Sequence, residues 1–330
     1  MCTGHMVAWR KWTAWPWCAW PSPVTVPGVC GIAGLFAKTS DTEAQVGTLL
    51  SSMLEHLADR GPDSSGAALY RRPVGPDATK LSLLAPATTD WAAFAAALEV
   101  AAGAARVIDA HDDHAVIEVH GPAADARRHV ARIDPGVTVI GTGQVIELHK
   151  RTGRPAALID RCGLVGQEAT HALGHTRMAT ESRVTTAGSH PFSTGADLCI
   201  VHNGSLSNHN ALRRTLRRAG QTFATANDSE VAAGYLTHRL AAGDALETAL
   251  ERALDDLDGF FTFAVGTRDG FAVLRDRIAC KPAILAETDD WVAMASEYRA
   301  IADLPGAADA QVWEPEPGRI YSWTHQAALA

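Results

Sequence analysis

The chain has 330 residues and a formal net charge of −8, and 47% of its residues are apolar, enough for one large domain or two modest ones. The acidic balance argues against a nucleic-acid partner or an anionic membrane surface, and no apolar run reaches the ~18–20 residues of a membrane span. Six scattered cysteines without a CxxC pair resemble neither a disulfide framework nor a zinc ribbon, which favours a cytoplasmic protein.

Residues 1–29 differ from the rest of the chain, because they hold five of its nine tryptophans and no acidic residue. Four prolines interrupt any signal-peptide core, and no A-x-A cleavage site is present. Two interpretations remain: a propeptide that is cut before Cys30, or a wrongly assigned start, with translation beginning at Val29 on a GTG codon. We favour the second, and both make Cys30 the first residue of the mature protein.

Residues 29–37 predict a short buried strand with one thiol at its head. If Cys30 is the true N-terminus, its α-amino group, with an ordinary pKa of about 7.7–8.0, can take the proton of the thiol, and the thiolate can attack a carbonyl. If Cys30 stays linked to Val29, its nitrogen has no basic lone pair. A buried cysteine acting only as a small apolar residue is the alternative.

A helix is predicted after this strand, with Ser40 and Glu43 as a capping box. Its buried face has helical spacing and comprises Val46, Leu49, Leu50, Met53, Leu54 and Leu57. The loop 60–66 follows, and then an Ala-rich segment at about 71–168, which we interpret as an insertion or subdomain. Within it we expect a helix near 89–102 and strands at His114–Val119 and Val137–Leu148.

Polar residues suited to substrate binding follow two later strands. The strand that begins at His171 is followed by Arg177, whose guanidinium has the fork geometry of a carboxylate ligand, although a structural salt bridge is the alternative. The strand Leu198–His202 is predicted to end in Asn203-Gly204. This pair indicates either a hairpin turn or an oxyanion hole made by the Asn203 amide and the Gly204 N–H.

Two further acidic residues are expected to begin helices. Asp228 is either an N-cap or a ligand for an ammonium group. Asp244 and Glu247 form a second predicted capping box, and Asp269-Gly270 predicts a hairpin. Paired histidines such as His171 and His175 lack the Cys or Glu that would complete a metal site, so no metal is expected.

Taken together, these motifs resemble those of the class II glutamine amidotransferases, which are N-terminal-nucleophile hydrolases. The resemblance covers about 30–70 and 171–300 and implies an α+β fold, a four-layer αββα sandwich. The motifs occur in the family's order: Cys30-Gly31-Ile32, Arg60–Gly66, His175-Thr176-Arg177-x-Ala-Thr180, His190-Pro191, His202-Asn203-Gly204 and Asn227-Asp228-Ser229-Glu230. The stretch 175–210 looks most similar to the GlxB-type amidotransferase subunit of N-methylglutamate synthase, and the glutaminase domain of glutamate synthase is a more distant relative.

The resemblance implies a role for each of these positions. Cys30 would be the nucleophile, and Asn203 and Gly204 would stabilise the oxyanion. Arg177 would bind the α-carboxylate of glutamine and Asp228 its α-ammonium group. Two further residues, Thr180 and His190, would support the pocket. Met178 departs from the family, since several relatives carry an aromatic residue there, and the insertion is longer than in the sugar-isomerising relatives.

The expected function is therefore that of a glutaminase subunit, which hydrolyses L-glutamine through a Cys30 γ-glutamyl thioester without a cofactor. No P-loop or Rossmann glycine pattern is present, so we expect the ammonia acceptor on another chain, a flavin-dependent synthase subunit by resemblance. Two alternatives stay open: another N-terminal-nucleophile amide hydrolase, or a non-catalytic regulatory subunit.

Overall fold

A computed structural model describes residues 30–178 and 184–325 of the chain. Its strands are β1 (Gly31–Ala37), β2 (Ser64–Tyr70), β3 (Ala78–Leu84), β4 (Ala105–His111), β5 (His114–His120), β6 (Thr138–Gly143), β7 (Ile146–Thr152), β8 (His171–Arg177), β9 (Phe192–Gly195), β10 (Leu198–Leu206), β11 (Gly259–Thr267), β12 (Gly270–Arg275), β13 (Ile284–Glu287), β14 (Trp291–Ala295), β15 (Gln311–Trp313) and β16 (Ile320–Thr324). Its α-helices are α1 (Ser40–Glu43), α2 (Val46–His56), α3 (Trp91–Ala102), α4 (Ala123–Ile133), α5 (Pro155–Arg161), α6 (His209–Arg218), α7 (Asp228–Ala241) and α8 (Leu246–Asp256).

Two sheets form the centre of the fold. The larger sheet has the strand order β15-β13-β14-β1-β8-β2-β7, and the smaller has the order β16-β12-β11-β10-β9. Strand β1 lies in the middle of the larger sheet, antiparallel to both β14 and β8. The first strand of the chain therefore lies at the centre of the larger sheet, and Cys30 at its head is partly buried.

The alternation of side chains along β1 produces the layers. Ala33 and Leu35 pack against α2 and α5, whereas Ile32 and Phe36 face the smaller sheet. The other face of the smaller sheet packs on α6, α7 and α8. The order helix, sheet, sheet, helix is the predicted αββα sandwich, so the sequence-based fold class is confirmed.

Residues 78–143 form a separate layer beside the sandwich. Their four strands have the order β4-β5-β3-β6, and one face packs with α3 and α4 around a core of its own that includes Trp91, Phe94 and Leu98. Strand β7 instead pairs with β2 in the larger sheet, and α5 packs against that sheet. The single strand predicted over Val137–Leu148 is therefore wrong: the chain leaves the small sheet and enters the large one within it.

The two predicted capping boxes are not formed. Thr39, not Ser40, caps the single turn α1, and the longer helix α2 starts only at Val46. Asp244 lies before α8 without capping it, because its carboxylate accepts a hydrogen bond of 2.6 Å from Arg239. A neighbouring residue thus caps the first helix, and an ion pair with Arg239 occupies the carboxylate of the second box. The hairpin at Asp269-Gly270 is present as predicted, between β11 and β12.

No helix within residues 30–178 and 184–325 is both long enough and apolar enough to cross a membrane.

Candidate active site

Strand pairing brings Cys30 and Arg177 together. Gly31 pairs with Thr176 across β1 and β8, so the residue before β1 and the last residue of β8 lie opposite each other. The Cys30 thiol lies 3.8 Å from the carbonyl oxygen of Met178. Arg177 is buried, and its Nη1 donates to the carbonyl of Gly188 at 3.1 Å. The pairing of β1 with β8 thus places Arg177 next to Cys30.

Asn203 and Gly204 lie within β10 and do not form a turn, so the hairpin interpretation is wrong. Alternate residues of β10 face opposite sides: Ile200 packs toward the helices and Val201 toward the larger sheet. Asn203 shares the side of Val201, and its Nδ2 donates to the carbonyl oxygen of Cys30 at 3.1 Å. The register of the strand thus places this amide at the thiol-bearing residue.

Gly204 occupies a position that a larger residue would not fit. Its φ is +150°, and a Cβ there would stand 2.0 Å from the carbonyl oxygen of Phe260. The close approach of β11 therefore requires glycine.

A cleft of about 570 Å³ connects these elements. Cys30, Arg177, His190, Gly204 and Asp228 all line it. Every site residue predicted from the sequence thus lies in the cleft or, in the case of Asn203, is hydrogen-bonded to a residue that lines it, except Thr180. That residue belongs to 179–183, outside the described residues.

Asp228 is the first residue of α7 and not its cap. The N-cap is Asn227, whose Oδ1 accepts from the N–H of Ser229 at 2.8 Å. The Asp228 carboxylate accepts from the N–H of Leu206 at 2.9 Å and from the hydroxyl of Ser229 at 3.3 Å. It is therefore held at the wall of the cleft, where a cation can meet it.

Burial and nearby cations have opposite effects on the nucleophile. Burial raises the pKa of the Cys30 thiol, while a backbone hydrogen bond at Met178 and the charges of Arg177 and Lys281 lower it. In a peptide-linked Cys30 burial is the larger effect, so the thiol form is favoured. A free α-amino group on Cys30 would supply the base that this environment otherwise lacks.

Three buried histidines line or back the cleft. The rings of His175 and His190 stack with their centroids 3.9 Å apart, and His202 lies 6.5 Å from His190. Burial lowers the pKa of His175 to about 3 and lowers the pKa values of His190 and His202 too. All three rings are therefore neutral near pH 7, and they shape the cleft without adding charge.

A second contact fixes the backbone of Cys30. Arg60, in the loop 60–66, donates from Nε to the carbonyl oxygen of Cys30 at 3.4 Å, and its guanidinium pairs with Glu297. The loop that the sequence indicated as support for a site thus contacts Cys30 directly.

Sequence reasoning missed other residues of the cleft, among them Lys281, Phe260, Ser229 and His202 as a lining residue. Lys281 lies in a turn, with Nζ 5.1 Å from the centroid of the Phe260 ring. In the sequence, Lys281 stands in a polar turn between two predicted strands, and such turns are too common to indicate a site. His202 carried a better signal, because it directly precedes Asn203.

Chemically, the cleft combines a thiol, an amide donor beside it, a cation and an anion. An αββα sandwich whose first central strand starts next to such a cysteine is the architecture of N-terminal-nucleophile hydrolases. The fold is also that of a solved glutamine phosphoribosylpyrophosphate amidotransferase from B. subtilis, with a TM-score of 0.56 and 18% identity over 89% of this chain and 47% of that one.

Comparison at the level of sequence identifies the family. A family model described as a glutamine amidotransferase domain matches residues 175–303. The chain is 51% identical over 301 residues to the glutamine amidotransferase-like protein GlxB of Rhizobium meliloti (strain 1021), covering 91% of this chain and 100% of that protein. It is 34% identical over 171 residues to the isomerizing glutamine--fructose-6-phosphate aminotransferase of Acidithiobacillus ferridurans, covering 50% of this chain and 27% of that protein. The chain belongs to the class II glutamine amidotransferases, enzymes that hydrolyse the amide of glutamine.

Proposed function

We propose that this chain hydrolyses L-glutamine to glutamate and ammonia through a γ-glutamyl thioester on Cys30, and that the ammonia passes to a synthase subunit on another chain. The observation that supports the chemistry is the meeting of Cys30, Arg177 and Asp228 in one cleft, with Asn203 hydrogen-bonded to the Cys30 carbonyl. Free glutamine carries one carboxylate, one ammonium group and one neutral amide, and the cleft offers a complementary group for each.

In this proposal Arg177 binds the α-carboxylate and Asp228 the α-ammonium group. The thiolate of Cys30 attacks the amide carbon, and the Asn203 side chain and the Gly204 N–H donate to the oxygen that becomes negative. The C–N bond then breaks, and the α-amino group of Cys30 returns the proton that it took from the thiol to the leaving nitrogen. Water attacks the thioester, the C–S bond breaks, and glutamate leaves. His190 and Thr180 support the pocket.

The proposed mechanism requires Cys30 to be the N-terminal residue. A peptide bond to Val29 would leave the Cys30 nitrogen without the basic lone pair that has to take the proton of the thiol.

The test is the intact mass of the protein made in its native host, before and after treatment with 6-diazo-5-oxo-L-norleucine, an electrophilic glutamine analogue. We expect a chain that starts at Cys30 and gains one adduct at that residue. The exposed Cys280 provides the control, because the Cys280→Ser variant should gain the same adduct and Cys30→Ala none. A chain that keeps residues 1–29, or one that takes no adduct at Cys30, would contradict the proposal and favour a non-catalytic subunit.

The proposed transfer of ammonia needs its own experiment. A complex purified from the native host should contain a flavin-bearing subunit, and its product should form with either glutamine or ammonium as nitrogen source. Cys30→Ala should abolish only the glutamine-dependent reaction. If the purified protein hydrolyses glutamine but no such subunit accompanies it, the proposed glutaminase activity is supported and the proposed partner is wrong.

A further inference from the structure

His202 has a fixed pattern of hydrogen bonds at the wall of the cleft. Its Nδ1 lies 2.8 Å from the hydroxyl of Ser229, and that hydroxyl donates to a carboxylate oxygen of Asp228 at 3.3 Å. A carboxylate only accepts, so the one hydroxyl proton is directed to Asp228. Toward His202 the hydroxyl must therefore accept, which places the imidazole proton on Nδ1 and a lone pair on Nε2.

The lone pair on Nε2 is buried next to the substrate cleft. His202 is 3% exposed, and within residues 30–178 and 184–325 its Nε2 has no hydrogen-bond partner. The nitrogen lies against Gly204: a Cβ on that glycine would stand 2.8 Å from it. His202, Gly204 and Asp228 line the same cleft. A buried acceptor without a hydrogen bond costs free energy, so a ligand that donates a hydrogen bond to it would bind more tightly.

The Asp228 carboxylate alone leaves the ammonium group of an amino acid incompletely bound. Each of its two oxygens already accepts a hydrogen bond from the protein, one from Leu206 and one from Ser229. An ammonium group has three N–H donors, so a further acceptor beside the carboxylate would complete its shell. A neutral imidazole nitrogen suits this role, and burial keeps the His202 ring neutral by lowering its pKa.

We propose that Nε2 of His202 accepts a hydrogen bond from the α-ammonium group of the substrate, so that His202 and Asp228 together select amides of α-amino acids. This inference rests on the proposed glutaminase function and extends it from the reaction to the specificity of the cleft. The hydrogen bonds from Asp228 through Ser229 to His202 set the tautomer of the imidazole. The carboxylate that binds the ammonium group thus also keeps the lone pair on Nε2 of His202.

Two substitutions separate the role of Nδ1, which contacts Ser229, from that of Nε2. In His202→Asn the shorter amide can replace Nδ1 and keep the Ser229 contact, but it does not reach the position of Nε2. In His202→Gln the longer amide can place an oxygen near Nε2. The substrate pair is L-glutamine and glutaramate, which has the same amide and carboxylate but no α-amino group. Glutaramate is measured as a substrate or, if its turnover is slow, as a competitive inhibitor of glutamine hydrolysis.

We expect His202→Asn to raise KM for glutamine about tenfold or more, with a smaller effect on kcat, and to leave the affinity for glutaramate within about twofold of the wild type. His202→Gln should recover much of the lost affinity for glutamine. Thermal unfolding of both variants checks that the fold is intact. Equal weakening of both ligands, or no weakening of either, would overturn the inference. Wild-type protein that neither hydrolyses glutamine nor labels at Cys30 would instead contradict the proposed function itself.

Discussion

Asn203 donates a hydrogen bond of 3.1 Å from its side-chain amide to the carbonyl oxygen of Cys30, although 173 positions separate the two in the chain. The contact joins the two sheets of the sandwich, since Cys30 begins the central strand of one and Asn203 lies in β10 of the other. The amide of Asn203 is thereby held at the backbone of Cys30 without any bound substrate, and preorganised donors can stabilise charge that develops in a transition state.

Replacing this donor should slow the chemical step. We expect Asn203→Ala to lower kcat for glutamine hydrolysis by ~10²–10³, the usual cost of losing one oxyanion donor, with a smaller change in KM. Asn203→Asp is the near-isosteric control: it keeps the size and removes the donor, so it should lose about as much activity. Steady-state kinetics would check both variants, and retention of wild-type kcat in either would rule out the assigned role.

Gly204 should tolerate no side chain, for steric reasons. An added Cβ would meet the carbonyl oxygen of Phe260 at 2.0 Å, and the backbone has a φ of +150°. We expect Gly204→Ala to destabilise the fold by about 1–3 kcal/mol through this clash and to impair activity as well. Gly75→Ala is the matched control, because a Cβ there would meet nothing within 4 Å. Denaturant unfolding would compare them, and equal stabilities would contradict the prediction.

The positive charge of Arg177 alone should not be sufficient to bind the α-carboxylate of glutamine; the fork geometry of the guanidinium should also be needed. Its Nη1 is already directed to the Gly188 carbonyl at 3.1 Å, which fixes the plane of the guanidinium. Arg177→Lys keeps the charge and loses bidentate binding, so we expect KM for glutamine to rise by about tenfold or more while the fold remains stable. An unchanged KM in this variant would show that the carboxylate is bound elsewhere.

Acid should destabilise the protein before its carboxylates are protonated. Burial lowers the pKa of His149 to about 4 and those of His171 and His175 to about 3, whereas the unfolded chain binds these protons near pH 6.5. Below about pH 6.5 the unfolded state therefore takes up protons that the folded state does not. The free energy of unfolding should fall by up to about 1.4 kcal/mol per pH unit for each histidine, down to its folded pKa.

Urea unfolding between pH 7 and 4.5 would measure this slope. Removing one titrating group should reduce it, so His149→Gln should show a shallower decline with pH than the wild type. The ring nitrogen Nδ1 of His149 has no hydrogen-bond partner among the described residues, which makes this position suitable for the substitution. A stability that stays constant between pH 6.5 and 4.5 would mean that these histidines are accessible to protons in the folded protein.

Much of the candidate site was predictable because its residues stand in short local motifs. Cys30 at the head of an apolar strand, Arg177 after a second strand and Asp228 at the start of a helix are visible as residue types at element ends, where polar groups can reach a cleft. The αββα class was implied by the resemblance of these motifs to the class II glutamine amidotransferases, and it was confirmed by the two packed sheets.

Other predictions depended on contacts that no local pattern records. Asn203-Gly204 has the residues of a tight turn, yet β11 pairs along its whole length and keeps it in a strand. Both predicted capping boxes had the right spacing, but the Asp244 carboxylate is bound by Arg239 instead. Pairing along the whole of β10 outweighs the small local preference of Asn-Gly for a turn, and a nearby ion pair outweighs the preference of Asp244 for a cap.

The sequence by itself determined the chemistry available to this protein: a thiol, an amide, a fork cation and a carboxylate, each in a short motif. Only the tertiary structure decided which of them meet. The register of β10 turns Asn203 toward Cys30 and His202 toward Ser229, because successive side chains of a strand face opposite sides. A shift by one residue would exchange those faces, and that register is set by pairing with β11, whose residues lie more than 50 positions further along the chain.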